Sequence, residues 1–124
     1  MAIEFWKARP LDTPSLAKGF PPSAFVLTTL GNPREKFWGR LLDLDLRGVV
    51  LCGVLLDSFD DFVRQLRDGE AAVPVTIFYP MHRVQSVELE RSDGPVPSLL
   101  ERFRRETESD PETVFRAQAD EVRP

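Results

Sequence analysis

A chain of 124 residues that is 42% hydrophobic is sized for one domain and has enough apolar side chains to build a core. Its 16 basic and 20 acidic residues leave a net charge of −4, so no global basic field draws it to phosphate backbones. A single Cys and a single His exclude an intrachain disulfide framework, a Cys-based zinc site and a multi-His metal site.

No apolar run reaches the length of a membrane span. Glu4, Lys7 and Arg9 interrupt any leader-like stretch, which predicts a cytoplasmic protein. Pro10, Pro14, Pro21 and Pro22 make residues 1–23 an extended arm, which Phe5, Trp6 and Phe20 can anchor to the body. Strand one is expected over Ala24–Leu30, ending in the turn Gly31-Asn32-Pro33. Strand two is expected over Lys36–Asp45, followed by the turn Leu46-Arg47-Gly48. Strand three, Val49–Leu56, has Val49, Leu51 and Leu55 on one face and Val50, Cys52, Val54 and Leu56 on the other. Two apolar faces require cover on both sides.

Asp57 to Asp61 reads as a helix start, with Ser58 placed to cap the amide of Asp61. Phe59, Phe62, Val63 and Leu66 form one apolar face, and Gly69 is the stop. This helix is the natural cover for the outer face of strand three. Val73–Tyr79 and Met81–Glu90 read as strands four and five, with a bend at Pro80. Leu99, Leu100 and Phe103 make a short amphipathic helix, and Asp110-Pro111 starts another. The apolar content of that last helix (Val114, Phe115, Ala117, Ala119, Val122) is thin, which predicts fraying or docking on a partner. The chain thus divides into an arm over 1–23, a β-rich domain over 24–91 with a helix at about 58–68, and a helical extension over 92–124.

Five short strands with a tight first turn suggest a small, strongly bent barrel. The run Arg34-Glu35-Lys36-Phe37-Trp38-Gly39-Arg40-Leu41, then Leu44-Asp45 and Leu51, resembles the first Sm motif. Gly39, Leu41, Asp45 and Leu51 meet the spacing found in the bacterial Sm-like RNA chaperones. His82-Arg83-Val84-Gln85-Ser86-Val87 is similar to the closing strand of the same proteins. The resemblance implies a five-stranded Sm-like barrel, mainly β with α decoration, with a helix inserted between strands three and four and C-terminal helices. It implies self-association into rings through strands four and five, and RNA at the ring face. The binding residues it suggests are His82, Arg83, Asp45 and Arg47, with Asp45 ordering the turn by accepting backbone amides. The stretch Leu46-Arg47-Gly48-Val49 carries no counterpart of the RNA-contacting Asn of other Sm proteins. Gly39 to Gly48 is also similar to the second motif of PilZ domains, which bind cyclic dinucleotides. Asp45 stands where that motif has Ser, and Arg34 and Arg40 lack the spacing of its phosphate-clamping arginines.

Asp43 and Asp45 alternate onto one face of strand two, where they could hold Mg²⁺ or act as acid and base, or simply form a solvated strand end. His82, the single histidine, is expected as a half-buried strand residue hydrogen-bonded to the backbone. Cys52, flanked by Val50 and Val54, reads as a buried, inert thiol. No catalytic His dyad, Gly-x-Ser-x-Gly elbow or phosphate-binding Gly-rich loop is present in the sequence. Arg102, Arg104 and Arg105 alternate with Glu101, Glu106 and Glu108, as on a solvated helix. Trp38 and Phe37 point to a core or a subunit interface. These residues predict a non-catalytic interaction or regulatory module that acts as a homo-oligomer, without cofactor or metal. An RNA-binding regulator, a cyclic-dinucleotide sensor and an enzyme are the competing classes.

Overall fold

The computed structural model describes residues 14–116. Phe5, Trp6, Ala117, Ala119 and Val122, named above as anchors of the arm and the extension, lie outside the described residues. The elements are β1 (Phe25–Leu30), β2 (Glu35–Asp45), β3 (Gly48–Leu55), α1 (Phe59–Arg67), β4 (Val75–Pro80), β5 (Val84–Leu89), α2 (Leu99–Thr107) and α3 (Pro111–Val114). Every ladder is antiparallel, and the strand order is β4-β3-β2-β1-β5. The chain is therefore mainly β with added helices, as expected. None of the described helices is long and apolar enough to cross a membrane.

The order places β4 and β5, consecutive in sequence, at opposite ends of the sheet. Only a 3-10 turn, Met81–Arg83, joins them. Four residues of chain reach at most about 14 Å. In a flat sheet the two ends would lie four strand spacings apart, about 19 Å. The sheet must curl, and its middle shows how. A Cβ on Gly53 would lie 2.1 Å from the Trp38 carbonyl oxygen, and one on Gly39 would lie 2.5 Å from that of Cys52. These two glycines face each other across the β2–β3 ladder, so the backbones close on each other at the bend. No ladder joins β4 to β5 among the described residues, so the sheet is open.

Each face of the sheet builds its own core. On one face, Val26, Leu30, Phe37, Leu41, Leu44, Val49, Leu51 and Tyr79 pack together. On the other, Phe25, Trp38, Cys52 and Val54 meet Phe59, Phe62 and Val63 of α1, Phe103 of α2 and Phe115. Strand three is thus covered on both faces, and Trp38 is a core residue at the centre of the second cluster. Its ring stacks on Phe25 at 5.2 Å and meets Phe59 edge-on at 5.1 Å.

Several local expectations change. Strand four begins at Val75, two residues late, because Pro74 has no amide to give a ladder. Strand five begins at Val84, because the chain must use Met81–Arg83 to turn from one end of the sheet to the other. Ser58 makes no side-chain cap bond, since a 3-10 turn over Leu56–Ser58 runs straight into α1 and Ser58 has helical dihedrals. The real capping box is at α2, where the Ser98 hydroxyl accepts from the Glu101 amide and Glu101 accepts from the Ser98 amide. Its hydrogen bonds with Ser98 hold the Glu101 carboxyl below the ordinary range. Asp110 does cap α3 through the Glu112 amide, with Pro111 behind it. Phe115 is fully buried, so the thin apolar content of α3 still supplies an anchor.

Replacing Phe62 by Asp would put a charge into the seam between α1 and α2. We expect the Phe62→Asp variant to lose about 3–5 kcal/mol in urea unfolding. An unchanged midpoint would mean that α1 does not cover the sheet.

Candidate functional site

The residues singled out by sequence fall at two turns. The first joins β2 to β3. A bulge between Leu41 and Asp43 shifts the register, pairing Leu41 with Leu51 but Asp43 with Val50. The bulge sends Leu44 rather than Asp43 into the first core and turns Asp43 and Asp45 to the opposite face together. Both are buried, at 6% and 3% exposure, which corrects the expectation of a solvated strand end. Asp43 Oδ1 accepts the Leu44 amide at 2.9 Å. Asp45 Oδ1 accepts the Arg47 amide at 2.8 Å, and its Oδ2 takes Arg47 Nη2 at 2.9 Å. The hydrogen bond to Asp45 is the main influence holding the Arg47 pKa above its ordinary value. Asp45 thus ties the turn to itself through the Arg47 amide, and Arg47 is an ion-pair partner. Ser15 bridges to Asp45, and the Leu16 amide donates to Leu44 O at 2.6 Å.

The second turn joins β4 to β5. His82 lies on it and is exposed, which corrects the half-buried strand position. Arg83 points the other way. Its Nε donates to Gly31 O at 2.9 Å, and its Nη2 reaches Pro33 O at 2.7 Å and Glu35 Oε1 at 3.0 Å. Its guanidinium also lies 5.5 Å from the Tyr79 ring centroid, while its own carbonyl accepts the Gly31 amide at 2.8 Å. Arg83 is thus a clamp between the β4–β5 corner and the β1–β2 turn. The Met81 amide donates to Arg47 O at 2.9 Å, so the structure does bring the two turns side by side. The arginines of the cyclic-dinucleotide reading do not converge there: Arg34 is exposed on the β1–β2 turn, and Arg40 lies under Phe115.

Among the described residues no three His, Cys, Asp or Glu side chains gather as a metal would require. Cys52 is buried, with its thiol 3.6 Å from Arg116 O. On α2, Arg102 reaches Glu106 at 3.1 Å and Asp60 of α1 at 3.0 Å, tying the two covering helices together. A cleft of about 220 Å³ opens beside β4, lined by Phe37, Leu55, Val75, Ile77 and Tyr79 with Ser58 at its edge. Burial there pushes the Tyr79 phenol up.

Sequence reasoning missed Arg40. It sits two residues from Trp38 and therefore on the same, helix-covered face. Its Nη1 donates to Phe115 O at 3.2 Å, while its Nε is buried without a partner, as is the indole nitrogen of Trp38. The available signal was an Arg at a position whose strand neighbours on that face are apolar.

Comparison with protein-family models, with curated proteins and with solved structures returned no match.

Arg83→Met removes three hydrogen bonds, two from the part-buried Gly31 O and Glu35 Oε1 and one from the exposed Pro33 O. We expect a loss of about 2–3 kcal/mol in thermal or urea unfolding. A loss below about 0.5 kcal/mol, the scale of an ordinary surface change, would show that the clamp is ornamental.

Proposed function

We propose that this chain is a non-catalytic interaction module of Sm-like type that acts as a homo-oligomer, with the outer edge of β5 as a pairing surface. The observation that carries the reading is the hydrogen-bond phase of β5. The Glu90 amide donates to Phe25 O, and the register pairs Val26 with Leu89, Leu27 with Glu88 and Thr28 with Val87. Antiparallel bonding alternates along a strand, so the amides and carbonyls of Val87 and Leu89 face away from β1. Among the described residues β5 has no second ladder. A strand from a second copy would complete it, and Leu89, with its side chain 39% exposed, would gain cover.

The Sm-like part of the proposal is supported by Gly39, Leu41, Asp45 and Leu51 in their motif spacing, by the curl at Gly39 and Gly53, and by the ordered turn at Asp45. The short corner between β4 and β5 favours closure into a barrel. The RNA-regulator reading is less favoured, because the guanidinium of Arg83 is taken up by Gly31, Pro33 and Glu35. A cytoplasmic location accords with the composition.

Sedimentation should give a particle of several times 14.1 kDa at micromolar concentration. Leu89→Pro deletes an amide that faces outward, at a residue outside both cores, and should reduce the mass towards one chain with little change in urea midpoint. Ser86→Pro deletes an amide directed at β1 and should instead destabilise the fold by about 3 kcal/mol. A 14.1 kDa particle over a wide concentration range would reject assembly.

Binding of single-stranded RNA should be weak, because the basic residues are interleaved with a larger number of acids. Submicromolar, steeply salt-dependent binding of a U-rich or A-rich strand would move the assignment to an RNA-binding regulator.

A further inference from the structure

The aromatic cluster on the helix-covered face is closed at one end by the shortest α-helix among the described residues. α3 has four residues, and the Phe115 that follows it is fully buried. The Phe115 ring meets Trp38 at 5.1 Å, Phe103 at 5.2 Å, Phe25 at 5.3 Å and Phe62 at 5.7 Å. Among the described residues its carbonyl oxygen takes one hydrogen bond, from Arg40 Nη1.

The polar groups of this socket are only partly used. Arg40 is half-buried, and among the described residues it has no carboxylate partner. Its Nε is buried with no acceptor, and so is the indole N–H of Trp38 in the same wall. A guanidinium presents paired N–H groups that suit two oxygens of one anion, whereas a peptide carbonyl offers one.

We propose that this socket is a docking site for a peptide chain that ends in an aromatic residue with a free α-carboxylate, and that Phe115 is its resident self-ligand. The incoming ring takes the space of the Phe115 ring. The carboxylate takes the place of the Phe115 carbonyl at Arg40 Nη1, its second oxygen takes the adjacent Nη2, and its charge neutralises the guanidinium. α3 then acts as a strap that the partner displaces. The reading is independent of pairing at β5.

The probe is acetyl-Glu-Thr-Val-Phe, the sequence of residues 112–115, made with a free carboxylate and with a carboxamide. It is titrated by calorimetry into the full-length Phe115→Ala chain. The acid should bind saturably and about tenfold tighter than the amide, in line with a charge-assisted bond replacing a neutral one. Adding Arg40→Met should erase that preference. Equal affinities, or no binding to a variant with native near-ultraviolet circular dichroism, would overturn the proposal. If Phe115→Ala does not fold, hydrogen exchange on the unaltered chain decides. The Phe115 amide, bonded to Pro111 O at 2.8 Å, should exchange faster with saturating acid and not with amide. No such difference would overturn the proposal equally.

Discussion

The backbones of β2 and β3 come so close at Gly39 and Gly53 that neither residue has room for a Cβ. Much of the architecture depends on this contact. It lets two long central strands bend, and the bend brings the two ends of the sheet near enough for a 3-10 turn to connect β4 with β5. A bent sheet has a concave face that fills with its own side chains and a convex face that needs a separate cover. Leu41, Leu51, Val26 and Tyr79 fill the first. Helices α1 and α2 and the Phe115 ring cover the second, with Trp38 as the hub.

The covering layer is fastened by charge as well as by apolar packing. Glu90, just past β5, accepts the Leu99 and Leu100 amides at the start of α2 at 2.9 and 3.2 Å. Arg102 then joins α2 to Asp60 of α1 and lies 5.2 Å from the Phe59 ring centroid. Asp45 holds the β2–β3 turn, and Arg83 holds the neighbouring β4–β5 corner against the β1–β2 turn. Most of the charged residues that draw the eye in the sequence are therefore internal fasteners. Among the described residues Arg40 differs from them in having a single neutral acceptor.

The two apolar faces of strand three require cover by the core and by a helix or another subunit, and the spacing of Phe59, Phe62 and Val63 offers the helix. Those patterns are local and strongly periodic, so one sequence displays them. The bulge beside Leu42 is not legible, because alternation looks regular until a partner strand sets the register. His82 reads as a strand residue because the run after Pro80 is continuous in composition. Only the sheet order, a property of non-local pairing, demands a turn there. The burial of Asp43 and Asp45 and the partners of Arg83 are likewise decided by residues distant in sequence. Phe115 looks marginal because its helix is weak by itself, and the five rings of the cluster it enters are scattered along the chain.

The clamp at Arg83 has a consequence for how the chain acquires its structure. Gly31 and Arg83 are 52 residues apart, and β1 pairs with β5 over a similar separation. The hairpins β1–β2 and β2–β3 close over short turns, whereas β5 must wait for a long loop to be brought in. Since a nascent chain emerges from its N-terminus, β1 spends that interval with one edge unsatisfied and the backbone groups of Phe25, Leu27 and Thr29 open to other chains. The docking of β5 is thus a late kinetic step that ends a window of aggregation, and Arg83 is the bolt that shuts it.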